Sequence, residues 1–154
     1  MRAKLMIAIA ATAAIGLGIG MSVAMSSPKI SSPTTLQFKD KTVQQRFVDV
    51  DGSHSFSLGD GFVFTDTLLR AGKVVGHGGG HCTATGKHPS RFECEATFKV
   101  AGGSIGLQTT FVGNPRHIRL IVTGGTGTYR NARGSGVLTE RQHRAPILRL
   151  ELLP

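Results

Sequence analysis

The sequence of 154 residues contains no tryptophan, a single tyrosine, two cysteines and no long run of like charges. Proteins that bind nucleic acid by base stacking depend on aromatic side chains, and the basic residues that would contact phosphates usually cluster in a patch. Here the 18 lysines and arginines are scattered along the chain. We therefore interpret the net charge of +9 as a basic protein surface, and we expect no nucleic-acid partner.

Helical periodicity is also missing, because no stretch after residue 36 keeps apolar residues at helical spacing for three turns. β-Branched and aromatic residues instead recur in short runs between Gly, Pro, Asn and Asp, as is typical of strands. We predict eight strands near residues 43–50, 61–70, 73–86, 91–101, 104–111, 117–123, 134–141 and 147–153. Short strands joined by short turns favour an all-β, closed eight-stranded antiparallel barrel, which leaves no exposed edge.

The N-terminal segment has the pattern of a signal peptide. Two basic residues, Arg2 and Lys4, precede an apolar run over Leu5–Gly20, and small residues end at Ala24. We predict a signal peptide over residues 1–24 and a secreted, extracellular protein. The alternative is an uncleaved membrane anchor, since about 20 apolar residues can span a bilayer. Beyond this segment we expect no contact with a membrane.

Two regions follow the predicted cleavage site. Residues 25–35 are rich in Ser, Pro and Thr and predict a flexible lead. Residues 36–154 form one domain of a size that can bury a core.

Cys82 and Cys94 are the only cysteines, and in an oxidising compartment they are natural partners in a disulfide. Two free buried thiols are the alternative. If the two cysteines lie opposite each other, then His81 lies opposite Glu95 and Gly86 opposite Ser90. The intervening residues 87–89 can make the turn, so the disulfide and the hairpin predict the same register.

The preceding hairpin can turn at Ala71 and Gly72. If Arg70 lies opposite Lys73 across this turn, then Asp66 lies opposite His77. The same face of the strand carries Phe62, Phe64 and Leu68, which we predict to line a pocket. Simple alternation along the third strand, however, brings the apolar residues of the next hairpin to the opposite face. Either a β-bulge in the glycine-rich run 76–81 shifts the phase, or both faces are covered in an oligomer.

Two motifs suggest sites that the sequence does not support. The string Val122–Arg130 looks like a dinucleotide-binding loop, but Arg130 stands in place of the third glycine and too few residues follow for a Rossmann sheet. His77 and His81 could share a strand face as metal ligands. The glycines between them make that geometry loose, so structural or surface histidines are favoured and no metal is expected.

Four segments together resemble the allene oxide cyclase-like barrels, which are related to the plant dirigent proteins. They are Gly59–Leu69, Gly72–Gly76 with Cys82, Gly102–Ile105, and Thr123–Gly134, in the order of that family and across nearly the whole mature chain. The resemblance implies an eight-stranded antiparallel barrel, often a homotrimer, with a largely apolar central pocket and no cofactor. It also implies action on reactive, conjugated or radical intermediates, whose cyclisation or coupling the barrel controls.

The resemblance also bears on two positions of the site. In the dirigent-like branch an aspartate in a Phe-x-Asp segment lines the pocket, and Asp66 matches it. An acid often follows the third glycine of the last string, where this chain has Thr128. That departure removes one of two acids.

Four residues are candidates for catalysis. Asp66 in an apolar barrel would have its charged form disfavoured, which suits a general acid or base, although an ion pair at the rim is the alternative. His77 would tune or share its proton. Tyr129 could supply a hydroxyl at the pocket mouth or simply pack the loop. Arg133 could orient an anionic group or fix the loop through an ion pair.

These observations predict a secreted, cofactor-free cyclase or isomerase that folds a small apolar or polyunsaturated substrate inside the barrel. One alternative is a non-catalytic dirigent-like or ligand-binding barrel. Another is a module that uses its positive surface for interactions, whose binding would fall steeply with salt.

Overall fold

The computed structural model describes residues 32–154, which form a closed barrel of eight antiparallel strands. The strands are β1 (Thr34–Val48), β2 (Gly61–Arg70), β3 (Lys73–Lys87), β4 (Ser90–Val100), β5 (Gly103–Val112), β6 (His117–Gly125), β7 (Arg133–Arg141) and β8 (Arg144–Leu153). Each strand pairs with the next, and β8 closes on β1. The predicted fold class is confirmed.

Part of the N-terminal region lies outside residues 32–154. The predicted signal peptide and most of the predicted lead fall outside the described residues. Within residues 32–154, no helix is long and apolar enough to cross a membrane.

The first strand differs most from its predicted bounds. It begins at Thr34, nine residues before the predicted start, and therefore includes the last two residues of the predicted lead. Leu36 and Phe38 alternate toward the interior as expected for a strand, but the next inward position is Asp40. This inward acid interrupts the apolar alternation on which the sequence assignment depended.

The two ends of the barrel are filled differently. One end, here called the closed end, carries the connections 71–72, 101–102 and 126–132, the last of which contains a short 3-10 helix. Most of the buried core lies there: Phe38, Leu68, Phe98, Ile105, Leu107, Leu120, Val122, Ala132, Leu148, Leu150 and Leu152 form one cluster. The other end, the open end, carries the connections 49–60, 88–89, 113–116 and 142–143. The core thickens toward the closed end and leaves space toward the open end.

The hairpin of β2 and β3 has a different register from the predicted one. It turns at Ala71 and Gly72, as predicted, with positive φ angles of 50° and 78°. A bulge then shifts the pairing, so that Asp66 lies opposite Gly78, and His77 lies opposite Thr67. The predicted pairing of Asp66 with His77 is therefore wrong. The extra residue is Val75, directly before the predicted run.

The hairpin of β3 and β4 has the predicted disulfide. Cys82 and Cys94 are directly opposite each other and bonded, and His81 lies opposite Glu95. Gly86 pairs with Arg91 and not with Ser90, because a second irregularity near the turn adds one residue to β3. The disulfide indicates folding in an oxidising environment.

Candidate active site

A cavity of about 410 Å³ occupies the barrel on the side of the open end. Most of its wall is apolar, from the side chains of Phe62, Phe64, Phe92, Phe98, Leu107, Phe111, Ile118, Leu120, Leu138, Pro146 and Leu148. Two of the three predicted pocket residues, Phe62 and Phe64, are thus in the wall. Leu68 is fully buried in the core, one inward position beyond Asp66 toward the closed end.

Aromatic rings surround the mouth of this cavity. The ring of Phe92 lies 5.9 Å from that of Phe62, 5.4 Å from that of Phe111 and 5.7 Å from that of Phe56, measured between centroids. These distances are typical of favourable tilted aromatic pairs. Because Phe56 belongs to the connection 49–60, this loop contributes directly to the mouth.

Three acids order the connection 49–60. One carboxylate oxygen from each of Asp49, Asp51 and Asp60 lies within 4.8 Å of the other two. Asp60 is fully buried and accepts hydrogen bonds from the backbone N–H groups of Val50 (3.0 Å) and Ser57 (2.7 Å), which lower its pKa. These carboxylates therefore order the loop that carries Phe56.

Four acids are among the residues that line the cavity, and one of them, Glu95 of β4, is exposed. The other three lie at inward positions of their strands. Asp40 comes from β1, Asp66 from β2 and Glu140 from β7, and all three are among the lining residues. Asp40 is 7% exposed and Asp66 is 5% exposed. One carboxyl oxygen of each, Oδ1, is buried without a hydrogen-bond partner. The structure thus places two incompletely bonded carboxyl groups at the wall of an apolar cavity.

Burial disfavours the ionised form of all three groups. It is the largest of the causes that raise the pKa of Asp40 to about 7, and the negative charges of Asp66 and Glu140 contribute to the same rise. Burial also raises the pKa of Asp66, against a hydrogen bond from Thr42 that lowers it. The pKa of Glu140 is raised by burial as well. A carboxyl group that titrates near neutral pH can act as a general acid or a general base.

The other predicted catalytic residues lie elsewhere. His77 is exposed on the outer face of β3. Tyr129 packs at the closed end, where its hydroxyl donates a hydrogen bond to the carbonyl of Ala101 (3.1 Å). Arg133 is exposed at the same end. The expected position of Tyr129 at the pocket mouth is corrected accordingly, and the catalytic roles of these three residues stay predictions without support from their positions.

Asp40 and Glu140 are site residues that the sequence interpretation missed. Both continue the inward alternation of their strands, Asp40 after Phe38 and Glu140 after Leu138. An acid at an inward position of a strand is the signal that could have identified them. Burying a carboxylate is costly, so acids at buried positions are often functional residues.

No family model and no curated protein matches the sequence. Among solved structures, a pyocyanin demethylase is similar with a TM-score of 0.71 and 27% identity, over 78% of this chain and 100% of that chain. A pterocarpan synthase dirigent protein is similar with a TM-score of 0.61 and 17% identity, over 79% of this chain and 83% of that chain. A Diels-Alderase from Streptomyces koyangensis is similar with a TM-score of 0.60 and 10% identity, over 81% and 72%. The chain therefore has the barrel fold of these structures, the fold that the resemblance to the allene oxide cyclase-like and dirigent-like proteins predicts.

Proposed function

We propose that this chain is an exported, cofactor-free cyclase or isomerase that folds an apolar or polyunsaturated intermediate inside its barrel. Asp66 and Asp40 serve as its proton donor or acceptor. The observation that carries this proposal is the pair of buried carboxyl groups, each with an unpartnered oxygen, at the wall of an apolar cavity. The presence of Diels-Alderases and a dirigent protein among structures of the same fold is consistent with it.

The cavity supplies two contributions to such a reaction. Its apolar wall holds a flexible substrate in a folded conformation, which brings the reacting atoms together before the chemical step. The carboxyl pair then donates a hydrogen bond or a proton where negative charge develops. The pKa of Asp40, raised to about 7, keeps part of this group protonated at neutral pH.

The test compares the products made by the native protein and by Asp66→Asn and Asp40→Asn, using the metabolites of the producing strain as substrates. Loss of general acid–base catalysis should lower product formation by about 10²–10⁴-fold. Glu151→Gln is the matched control, because Glu151 is an exposed acid on the outer face of β8. Unchanged product from a folded Asp66→Asn protein would remove Asp66 from catalysis and favour the non-catalytic ligand-binding barrel.

A second candidate is demethylation, and one comparison favours it. The pyocyanin demethylase is matched over its whole length, at a higher identity than the cyclases. Incubation of the protein with pyocyanin and an added electron acceptor, followed by mass spectrometry, tests this activity. Release of the methyl carbon as formaldehyde would support it, and intact pyocyanin would reject it for this substrate.

Export is the remaining part of the proposal. The disulfide between Cys82 and Cys94 supports an oxidising compartment, and we propose that cleavage after Ala24 releases the chain there. The mass of the protein recovered outside the cytoplasm should then correspond to a chain that starts at Met25. A mass that includes residues 1–24 would support the uncleaved anchor.

A further inference from the structure

The cavity has a charge pattern opposite to that of the whole chain. The sequence has 18 lysines and arginines against 9 acids. Among the described residues, however, those that line the cavity include four acids, Asp40, Asp66, Glu95 and Glu140, and no lysine, arginine or histidine. Acidic groups without a lining cation thus lie where burial makes a carboxylate costly.

Among the described residues, the charged groups that shift the pKa of Asp40 are both acids, Asp66 of β2 and Glu140 of β7. Its pairing partner in β2 is the apolar Leu68, and the guanidinium of Arg70 lies over the ring of Phe38, 4.9 Å from the centroid. The inward positions of β8 are uncharged: Pro146, Leu148, Leu150 and Leu152. Two arginines close to this region in the chain are engaged elsewhere. Arg141 donates to the carbonyl of Ala145, and Arg149 forms an ion pair with Glu151.

We propose that the cavity binds an organic cation with a flat or apolar body, whose positive charge lies against Asp40, Asp66 and Glu140. The inference rests on the proposed function only in placing the substrate in this cavity. A cation supplies the counter-charge that the buried carboxylates lack, and its charge can lie against the unpartnered Oδ1 atoms of Asp40 and Asp66. The apolar body of the cation would pack against the apolar wall of the cavity, where phenylalanine rings also attract positive charge.

The cavity offers acids for the charged end of such a cation and aromatic rings for its apolar end. Asp40 and Asp66 lie deep in the cavity, because Asp40 pairs with the fully buried Leu68 and Asp66 is one inward position from it. Glu140 is half-buried near the end of β7, beside the connection 142–143. The rings of Phe62, Phe92 and Phe111 lie toward the mouth, 5.4–5.9 Å apart between neighbouring centroids. A guest would therefore enter charge first, with its apolar part remaining between the rings.

Two probes of the same shape separate charge from hydrophobic fit. The permanent cation 1-methylquinolinium and the neutral 1-methylnaphthalene are titrated into the native protein, and their dissociation constants are compared. We expect the cation to bind about tenfold or more tightly at about pH 8, which is above the pKa of Asp40. The double variant Asp40→Asn, Glu140→Gln, which retains Asp66, should weaken this preference and still bind the neutral probe, whereas Glu151→Gln should keep it in full.

A proton measurement on the native protein covers the case in which the double variant fails to fold. Near neutral pH, cation binding should release protons from Asp40, and calorimetry in buffers of different ionisation enthalpy detects this release. Binding of the neutral probe should release none. No measurable binding of the cation at millimolar concentration, equal binding of both probes, or an undiminished preference in the folded double variant would overturn the inference.

These outcomes are independent of the proposed reaction. A cation preference can be present in a protein whose Asp66→Asn variant forms product normally, in which case the catalytic proposal fails and the substrate class stands. Conversely, loss of product in Asp66→Asn without a cation preference would keep the catalytic proposal and reject the cation.

Discussion

Asp40 is held in a folded environment that opposes its own charge. Its side chain is almost fully removed from water, and two neighbouring acids add their repulsion. In the unfolded chain the same carboxyl group is hydrated and has its ordinary pKa of 3.8. The folded protein therefore binds a proton at this position more tightly than the unfolded chain does.

This difference predicts how Asp40→Asn changes stability with pH. Since the folded-state pKa is raised to about 7, the contribution of Asp40 is most favourable below pH 3.8 and is lost as the pH rises through 7. The neutral amide avoids that loss. We expect Asp40→Asn to match the native protein near pH 4 and to be more stable by about 4 kcal/mol near pH 8.

Urea denaturation at several pH values measures this difference directly. Glu151→Gln removes an acid from the outer surface and should show no comparable dependence. If the free energies of unfolding of Asp40→Asn and the native protein differ equally at both pH values, the carboxyl group of Asp40 is not disfavoured by folding.

At this scale the sequence revealed only one acid of the site. Asp66 follows Phe62 and Phe64 in a clear alternating strand, so its inward orientation could be predicted. Asp40 and Glu140 come from β1 and β7, and barrel closure through β8 brings these distant strands to one cavity. No local pattern encodes that meeting of three acids, which is why the cluster required the structure.

The glycines of β3 leave space for side chains of the neighbouring strand. Its inward positions near the middle are glycines, and a Cβ atom at Gly78 would lie 2.2 Å from Cδ1 of Phe98 and 2.6 Å from the carbonyl oxygen of Thr97. Phe98 is 4% exposed and lines the cavity. The absence of a side chain at Gly78 therefore allows Phe98 to occupy its position.

We expect Gly78→Ala to destabilise the barrel by about 1–3 kcal/mol, because the added methyl group displaces a packed ring and meets backbone as well. Val74→Ala on the exposed side of β3 is the control, and it should change the free energy of unfolding by about 0.5 kcal/mol or less. Chemical denaturation of both variants gives the comparison. Native stability in Gly78→Ala would show that β3 and β4 separate easily at this point.

The register of these hairpins was only partly predictable. The two cysteines correctly identified the pairing of β3 with β4, because a disulfide requires its partners to face each other. The bulge lies at Val75, directly before the predicted run 76–81, and this one extra residue places His77 on the outer face. Its position depends on the twist of a closed sheet, to which distant strands contribute.

For the whole molecule, the number of strands and their closure followed from the sequence, whereas the difference between the two ends did not. The eight apolar runs give the strands, and an up-and-down order lets each pair with its neighbour. The closed end is filled by leucines from β8 packed against Phe38 and Ile105. Which end remains open depends on the summed volumes of side chains from all strands.

Closure depends on a short stretch of β1. Residues 34–39 pair with residues 147–152 of β8, and no other strand can satisfy that edge of β8. We expect a chain that begins at Lys41 to lose the cooperative thermal transition shown by a chain that begins at Ser32. The truncation removes the buried Phe38 and leaves β8 with an unpaired edge, which favours aggregation.

Hydrogen exchange distinguishes an opened barrel from general unfolding. If only closure is lost, the amides of β8 should lose protection first, while those of β3 and β4, joined by the disulfide, should retain it longer. Phe38→Ala in the longer chain is the matched variant: it removes the same core side chain and keeps the backbone pairing, at a cost of about 3–5 kcal/mol. A cooperative transition and protected β8 amides in the truncated chain would mean that the remaining strands close without this pairing.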